Sequence, residues 1–167
     1  TESAIGVVIL TSGWLVGCGR ARRTGQTMAS SDNPVPPPKD LLTRNQWVRW
    51  RYEERNGKRT KPPVHVTENR GASHSDPSTW GSYQVALDGV GRHNTEGVGY
   101  VFAKDDPNTG VDLDDCRDPE TGILEQWAQE AVDLLASYTE ISPSGTGIKI
   151  WVRATLAVSG RRRAQVE

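Results

Sequence analysis

Two aspartates are separated by a single residue, Leu113, in the segment Val-Asp-Leu-Asp that ends at Asp114. Successive side chains of a β-strand point to opposite faces, so we expect the carboxylates of Asp112 and Asp114 on one face and Leu113 on the other. Adjacent carboxylates repel each other unless a cation lies between them, and Mg²⁺ and Mn²⁺ prefer such oxygen ligands. The pair therefore indicates a divalent metal site. The alternative is a solvated strand end, because this spacing is also common by chance.

A loop rich in glycine and hydroxyl side chains, residues 142–147, is followed closely by a lysine. The backbone N–H groups of such a loop can form an anion-binding nest, and a lysine ammonium beside it acts as a point charge on phosphate. The loop is not of the Walker A type, because Ile148 precedes the lysine and no Ser or Thr follows it. The alternative is an ordinary hairpin turn. The candidate nucleotide-binding residues are Ser142, Ser144, Gly145, Thr146, Gly147 and Lys149.

An acidic pair for a metal and a cationic, glycine-rich loop for phosphate together favour metal-assisted phosphoryl or nucleotidyl transfer. Other catalytic arrangements have less support in the sequence. His65, His74 and His93 stand in polar, turn-like segments, and Cys116 has no partners at zinc-binding spacing. A metal-dependent nuclease on a similar acidic strand is an alternative, although no Lys or His follows the two aspartates closely.

Hydrophobic periodicity predicts the strands and the helix that position these residues. Alternating aromatic residues predict a strand over residues 45–52, and a nearly continuous apolar run predicts a buried strand over residues 97–103. We expect residues 111–115 to return as the second strand of a hairpin, and residues 148–153 to form a further strand. Apolar residues at three- and four-residue spacing predict a helix over residues 121–138. This order predicts an α+β fold, in which helices pack on a mixed or antiparallel sheet.

The two ends of the sequence differ from its middle. Residues 1–40 are predicted to be a non-globular leader and Pro-rich linker, with Met28 as the natural start and the folded domain covering residues 41–167. The apolar run at residues 5–18 is too short for a membrane-spanning helix. Near the other end, three consecutive arginines are expected to face either solvent or nucleic-acid phosphate, namely Arg161, Arg162 and Arg163.

The overall composition excludes several classes of protein. The chain has 167 residues, and its 20 lysines and arginines balance 21 aspartates and glutamates to a net charge of -1, so a generally basic nucleic-acid coat is excluded. A hydrophobic content of 35% suffices for one core and is too low for a bundle of membrane helices. Two cysteines are too few for a disulfide-stabilised secreted scaffold, which favours a reducing, cytoplasmic location.

Four segments with distinctive residues occur together in this chain. They are Gly99-Tyr100-Val101-Phe102, Asp105-Asp106-Pro107, residues 109–116 with the acidic pair, and residues 137–147 with the glycine-rich loop. In combination they resemble the bifunctional primase-polymerase domain of the archaeo-eukaryotic primase superfamily, in the branch of phages, plasmids and other mobile elements. The resemblance implies a sheet like that of RNA-recognition domains, joined to a smaller N-terminal α/β module. It also implies synthesis and extension of primers from nucleoside triphosphates on a DNA template.

The resemblance further implies roles for individual residues. Asp112 and Asp114 match the acidic motif of the family, which would bind Mg²⁺ or Mn²⁺, and Glu167 stands at the place of a third acidic motif as a further ligand. Residues 144–147 match the motif that lies beside the incoming triphosphate. The three arginines would contact template or primer, and a helicase region of the full-length protein would be a partner. Because the chain ends at the third motif, we expect a catalytic domain that is truncated at its C-terminus.

One position departs from the family pattern. The second motif commonly ends in histidine, and this sequence has Lys149 there. Lysine can neutralise a triphosphate, but it cannot donate a proton near neutral pH or orient a group through two ring nitrogens. Nucleotide binding is therefore expected, and a catalytically inactive module that binds nucleotide or nucleic acid stays open as an alternative to the enzyme.

Overall fold

The computed structural model describes Val7–Ile9, residues 37–103, residues 106–155 and Val166. The chain divides into two compact units. Of the described residues, Val7–Ile9, residues 38–103 and Asp106 belong to the first unit, and the others belong to the second. Most of the predicted leader lies outside the described residues. Within it, Val7–Ile9 forms a strand, and the boundary at residue 41 stays a prediction.

The first unit contains a four-stranded antiparallel sheet and a separate two-stranded ribbon. Its elements in chain order are β1 (Val7–Ile9), α1 (Lys39–Leu42), β2 (Trp47–Trp50), β3 (Glu53–Arg55), β4 (Lys58–Thr60), β5 (Pro63–Val64), α2 (Tyr83–Asp88) and β6 (Gly97–Val101). The strand order in the larger sheet is β1-β6-β2-β5, and β3 pairs with β4 in the ribbon. Strand β5 lies at an edge because Pro63 has no N–H to donate to a further strand.

Strand β2 forms the centre of the core of the first unit, and all four of its residues are buried. The indole of Trp47 makes edge-to-face contacts with Tyr83 at 4.7 Å and with Tyr100 at 5.2 Å between ring centroids. Arg49 has 0% of its surface exposed, and its guanidinium donates to backbone carbonyls of surrounding loops. These hydrogen bonds compensate the burial of a charged group and fasten the loops to the strand.

The described part of the second unit is a three-stranded antiparallel sheet with one helix packed on it. Its elements are β7 (Asn108–Leu113), α3 (Gln126–Leu135), β8 (Tyr138–Ile141) and β9 (Ile148–Arg153), and the strand order is β7-β9-β8. The core between sheet and helix consists of Leu113, Cys116, Ala128, Val132, Ile148 and Ile150. Among the described residues, no helix is long and apolar enough to cross a membrane.

The expected α+β class with antiparallel sheets is confirmed, whereas two details of the prediction are wrong. Strands β6 and β7 do not form a hairpin, because they lie in different sheets and different units. Strand β7 pairs along its full length with β9, which places Leu113 opposite Ile148 in the core. The helix covers Gln126–Leu135 rather than residues 121–138. Its start is delayed because residues 117 and 124 pair as an isolated bridge that holds the preceding segment in a loop, and it ends early because Ala136 is left-handed and Tyr138 begins β8.

The residue that ends α3, Ala136, provides a test of local backbone strain. It is exposed and adopts left-handed dihedral angles, φ 44° and ψ 41°, while its N–H donates to the Val132 carbonyl at 2.9 Å. Glycine has no Cβ to clash in this conformation, so Ala136→Gly is expected to raise the free energy of unfolding by about 1 kcal/mol, measured by urea denaturation. Ala131→Gly inside the same helix should lower it by at least about 1 kcal/mol. A decrease for both variants would contradict this prediction.

Candidate active site

The sheet of the second unit has an apolar face toward α3 and a second face with charged residues. Alternation along β9 places Ile148 and Ile150 in the core and Lys149 on the opposite face. Lys149 is directly opposite Asp112 of β7 on one side and directly opposite Glu140 of β8 on the other. The central strand therefore carries an ammonium group between two carboxyl groups.

The first predicted ligand, Asp112, forms an ion pair with Lys149, whose Nζ donates to Asp112 Oδ2. Lys149 is 8% exposed, so this ammonium is largely removed from water. The second carboxylate oxygen of Asp112, Oδ1, is buried and has no hydrogen-bond partner among the described residues. An unsatisfied buried carboxylate oxygen is unfavourable unless a donor or a cation meets it. The chemistry at Asp112 therefore fits a divalent metal ion.

The second predicted ligand, Asp114, follows the last residue of β7 and is partly exposed. Leu113, between the two aspartates, is buried in the core, as the alternation predicts. Val166 pairs with Leu113 as an isolated antiparallel bridge.

Among the described residues no group of three or more His, Cys, Asp or Glu side chains is arranged to hold a metal. The predicted third ligand, Glu167, lies outside those residues, as do Arg161, Arg162 and Arg163.

The predicted nucleotide-binding loop connects β8 to β9, and its backbone amides donate to oxygens of the loop itself. Gly145 N–H donates to the Ser142 carbonyl at 2.9 Å, Thr146 N–H to Ser144 Oγ at 3.4 Å and Gly147 N–H to Ser142 Oγ at 3.2 Å. The three hydroxyl groups form a chain, with 2.8 Å from Ser142 to Ser144 and 3.0 Å from Ser144 to Thr146. In this conformation these three amides are engaged inside the loop and are not available to a phosphate. The role of the loop stays a prediction.

The loop is fastened to the segment that follows Asp114. The backbone N–H groups of Cys116 and Arg117 both donate to the Thr146 carbonyl at 2.9 Å, and Arg117 Nη1 donates to the Gly145 carbonyl at 2.8 Å. At Gly147 a Cβ atom would lie 2.6 Å from the Leu113 carbonyl oxygen and 3.4 Å from Asp114 Cα. Only glycine permits this approach, and the structure thus brings the acidic segment and the loop together.

Two residues of this region were not singled out in the sequence. Arg117 joins the loop to the acidic segment, and Glu140 lies 3% exposed beside Lys149. Burial raises the pKa of Glu140 to about 8, although a hydrogen bond from Trp151 Nε1 at 3.3 Å and the positive charge of Lys149 act in the opposite direction. Glu140 is the only buried residue of β8, whose other three residues are half-buried, so the sequence pattern alone does not distinguish it from a solvent-facing acid.

The raised pKa of Glu140 predicts how stability depends on pH. Between the ordinary pKa of 4.5 and the folded value of about 8, the unfolded chain loses this proton and the folded chain keeps it. The free energy of unfolding should therefore fall as pH rises, by about 2 kcal/mol between pH 5.5 and pH 7. Urea denaturation at several pH values measures this slope. Glu140→Gln has no proton to lose and should flatten the slope, whereas an equally steep slope in this variant would contradict the prediction.

Comparison with known proteins adds evidence that is independent of this geometry. No protein-family model matches the chain. Over 122 residues, which are 73% of the chain, the sequence is 36% identical to the DNA Primase-polymerase of Nitratiruptor phage NrS-1. The matched part is 16% of that phage protein, so the chain spans about a sixth of the length of this relative.

Proposed function

Since this chain belongs to the primase-polymerase family, we propose that it carries out metal-dependent nucleotidyl transfer from nucleoside triphosphates on a DNA template. We place it in the DNA replication of a virus, plasmid or other mobile element. One observation carries the proposal. Asp112 presents a buried, unsatisfied oxygen on the same segment that the glycine-rich loop packs against. A metal site and a phosphate site in contact are the arrangement that nucleotidyl transfer requires.

Asp112 and Asp114 are the proposed ligands of Mg²⁺ or Mn²⁺. When bound, such an ion supplies positive charge that stabilises the attacking oxygen, the transferred phosphate and the leaving oxygen. Carboxylate oxygens on a strand suit these ions, which take oxygen ligands and keep places for water and substrate phosphates. Val166 pairs with Leu113, the residue that separates the two aspartates in the sequence. This supports Glu167, the next residue along the chain, as a further proposed ligand.

The proposed triphosphate contacts are Lys149 and the hydroxyl groups of the loop. Lys149 supplies a buried positive charge one strand away from Asp112. Ser144 and Thr146 supply hydroxyl donors at the outer end of the hydroxyl chain, and Ser142 closes its inner end. The ammonium and the hydroxyls would hold the phosphates and orient them toward the metal ligands.

Further properties of the whole protein are proposals by extension from the family. Arg161, Arg162 and Arg163 would bind phosphates of template or primer, since three adjacent guanidinium groups suit a polyanion. A cytoplasmic location and a helicase region elsewhere in the full-length protein would fit replication. Binding of nucleic acid through these arginines predicts a strong decrease of DNA affinity with rising salt concentration.

Primer extension separates the proposed function from its two alternatives. The chain is incubated with an end-labelled primer on a longer DNA template, deoxynucleoside triphosphates and Mn²⁺, with EDTA as the control. Lengthened primers that disappear with EDTA are the expected result. An unchanged primer together with retained nucleotide binding would support an inactive binding module, and a shortened primer would support a nuclease.

A further inference from the structure

Lys149 has two carboxyl neighbours, and the proposed function uses only one of them. Asp112 and Glu140 are the residues directly opposite Lys149 on the two adjacent strands. Directly opposite residues of antiparallel strands have Cβ atoms about 5 Å apart, so the long lysine side chain can reach either carboxyl group. Lys149 and Glu140 are 8% and 3% exposed, respectively, so both side chains are largely removed from water.

The ion pair seen in the structure opposes metal binding at Asp112. The ammonium of Lys149 contacts Asp112 Oδ2 and neutralises the charge of that carboxylate. A divalent cation at Oδ1 of the same carboxylate would lie close to the ammonium, and two positive charges at such a distance repel each other strongly in a buried site. Binding of the metal is therefore favoured when the ammonium has another carboxylate to contact.

Glu140 is placed to be that carboxylate. Its Oε1 accepts a hydrogen bond from Trp151 Nε1 at 3.3 Å, which holds the side chain on the face that carries Lys149. The positive charge of Lys149 favours the ionised form of Glu140, in opposition to the effect of burial on its pKa. When Asp112 is engaged elsewhere, the ammonium can move to Glu140, whose carboxyl group then releases its proton to solvent and becomes the counter-ion of Lys149.

We propose that Glu140 is a positioning residue that receives the Lys149 ammonium when a divalent cation binds Asp112. This inference rests on the proposed function, because it takes Asp112 as a metal ligand. Glu140 itself contacts neither metal nor nucleotide, and it acts through Lys149. With the ammonium held by Glu140, Asp112 offers its full negative charge to the cation.

The test is a double-mutant cycle on the binding of Mn²⁺ alone, measured by isothermal titration calorimetry with the whole chain. Glu140→Gln is expected to weaken Mn²⁺ binding about tenfold, in the range typical for partners of metal-site residues. In the background of Lys149→Met the same substitution should change the dissociation constant by less than about twofold, because the ammonium that Glu140 receives is gone. Glu140→Asp keeps the charge and should stay within about threefold of wild type.

The outcomes separate this inference from the proposed function. Equal weakening by Glu140→Gln with and without Lys149 would show a merely structural role and overturn the inference. The inference would also be overturned if Glu140→Gln did not weaken Mn²⁺ binding in either background. Asp112→Asn is measured alongside: if it abolishes Mn²⁺ binding while the cycle shows no coupling, the inference fails and the metal assignment stands. If Asp112→Asn leaves Mn²⁺ binding unchanged, both are overturned.

Discussion

Asp112→Asn is expected to lower the rate of nucleotide incorporation by about 10³-fold, the loss that follows from removing several kcal/mol of transition-state stabilisation. Asparagine keeps the size of the side chain and one oxygen, but it lacks the negative charge that binds the metal. It also leaves the buried Lys149 ammonium without its carboxylate. The measurement is the initial rate of primer extension at saturating Mn²⁺, together with the Mn²⁺ concentration that gives half of the maximal rate.

The matched control for this substitution is Asp133→Asn. Asp133 lies exposed on α3, where its Oδ1 accepts a hydrogen bond from Gln129 Nε2 at 2.9 Å. The same change of charge at this position should leave the rate within about twofold of wild type. Asp114→Asn should resemble Asp112→Asn. A rate for Asp112→Asn within about threefold of wild type would show that the carboxylate is not part of the catalytic machinery.

Gly147→Ala is expected to lower the free energy of unfolding by about 3 kcal/mol and the incorporation rate by about 100-fold. The new Cβ would lie 2.6 Å from the Leu113 carbonyl oxygen, and this neighbour is backbone in a paired strand that cannot rotate away. Relief of the clash requires the end of β7 or the loop to move, which displaces Asp112 and Asp114 from the loop. Displacements of about 1 Å at a catalytic site typically have this effect on rate.

Gly145→Ala provides the control in the same loop. Gly145 has a positive φ of 79°, and a Cβ there would meet only Pro119 Cβ, at an ordinary 3.7 Å. Alanine at this position is strained by its backbone alone, which lowers the free energy of unfolding by about 1 kcal/mol. Urea denaturation of both variants gives the comparison. If Gly147→Ala unfolds at the same or a higher urea concentration than Gly145→Ala, the close approach of loop and strand is not as described.

The sequence was sufficient to predict the faces of the strands, because strand periodicity depends only on the order of residues. Leu113 is buried and Asp112 lies on the opposite face of the sheet, as the alternation indicates. The class of fold could be predicted for the same reason. The pairing partner of each strand could not be predicted from the sequence. Strand β6, for example, is buried along its whole length, so its pattern is compatible with any neighbouring strand.

The role of Glu140 could not be predicted, because it depends on the pairing of β8 with β9. Only the register of that pair places Glu140 opposite Lys149, and a shift by one residue would move it to the other face. The hydrogen bonding of the glycine-rich loop was also beyond the sequence. The amide of Gly147 could donate equally to a phosphate or to Ser142 Oγ, and only the folded geometry shows that it donates to the hydroxyl.

The metal specificity of Asp112→Cys tests most directly whether Asp112 binds the catalytic cation. A thiolate is a poor ligand for Mg²⁺ and a good one for a softer ion such as Cd²⁺. The quantity to measure is the ratio of primer-extension rates in Cd²⁺ and in Mg²⁺, for the variant and for the wild-type chain. We predict that this ratio rises at least tenfold in the variant. A ratio equal to that of wild type would contradict the assignment of Asp112 as a metal ligand.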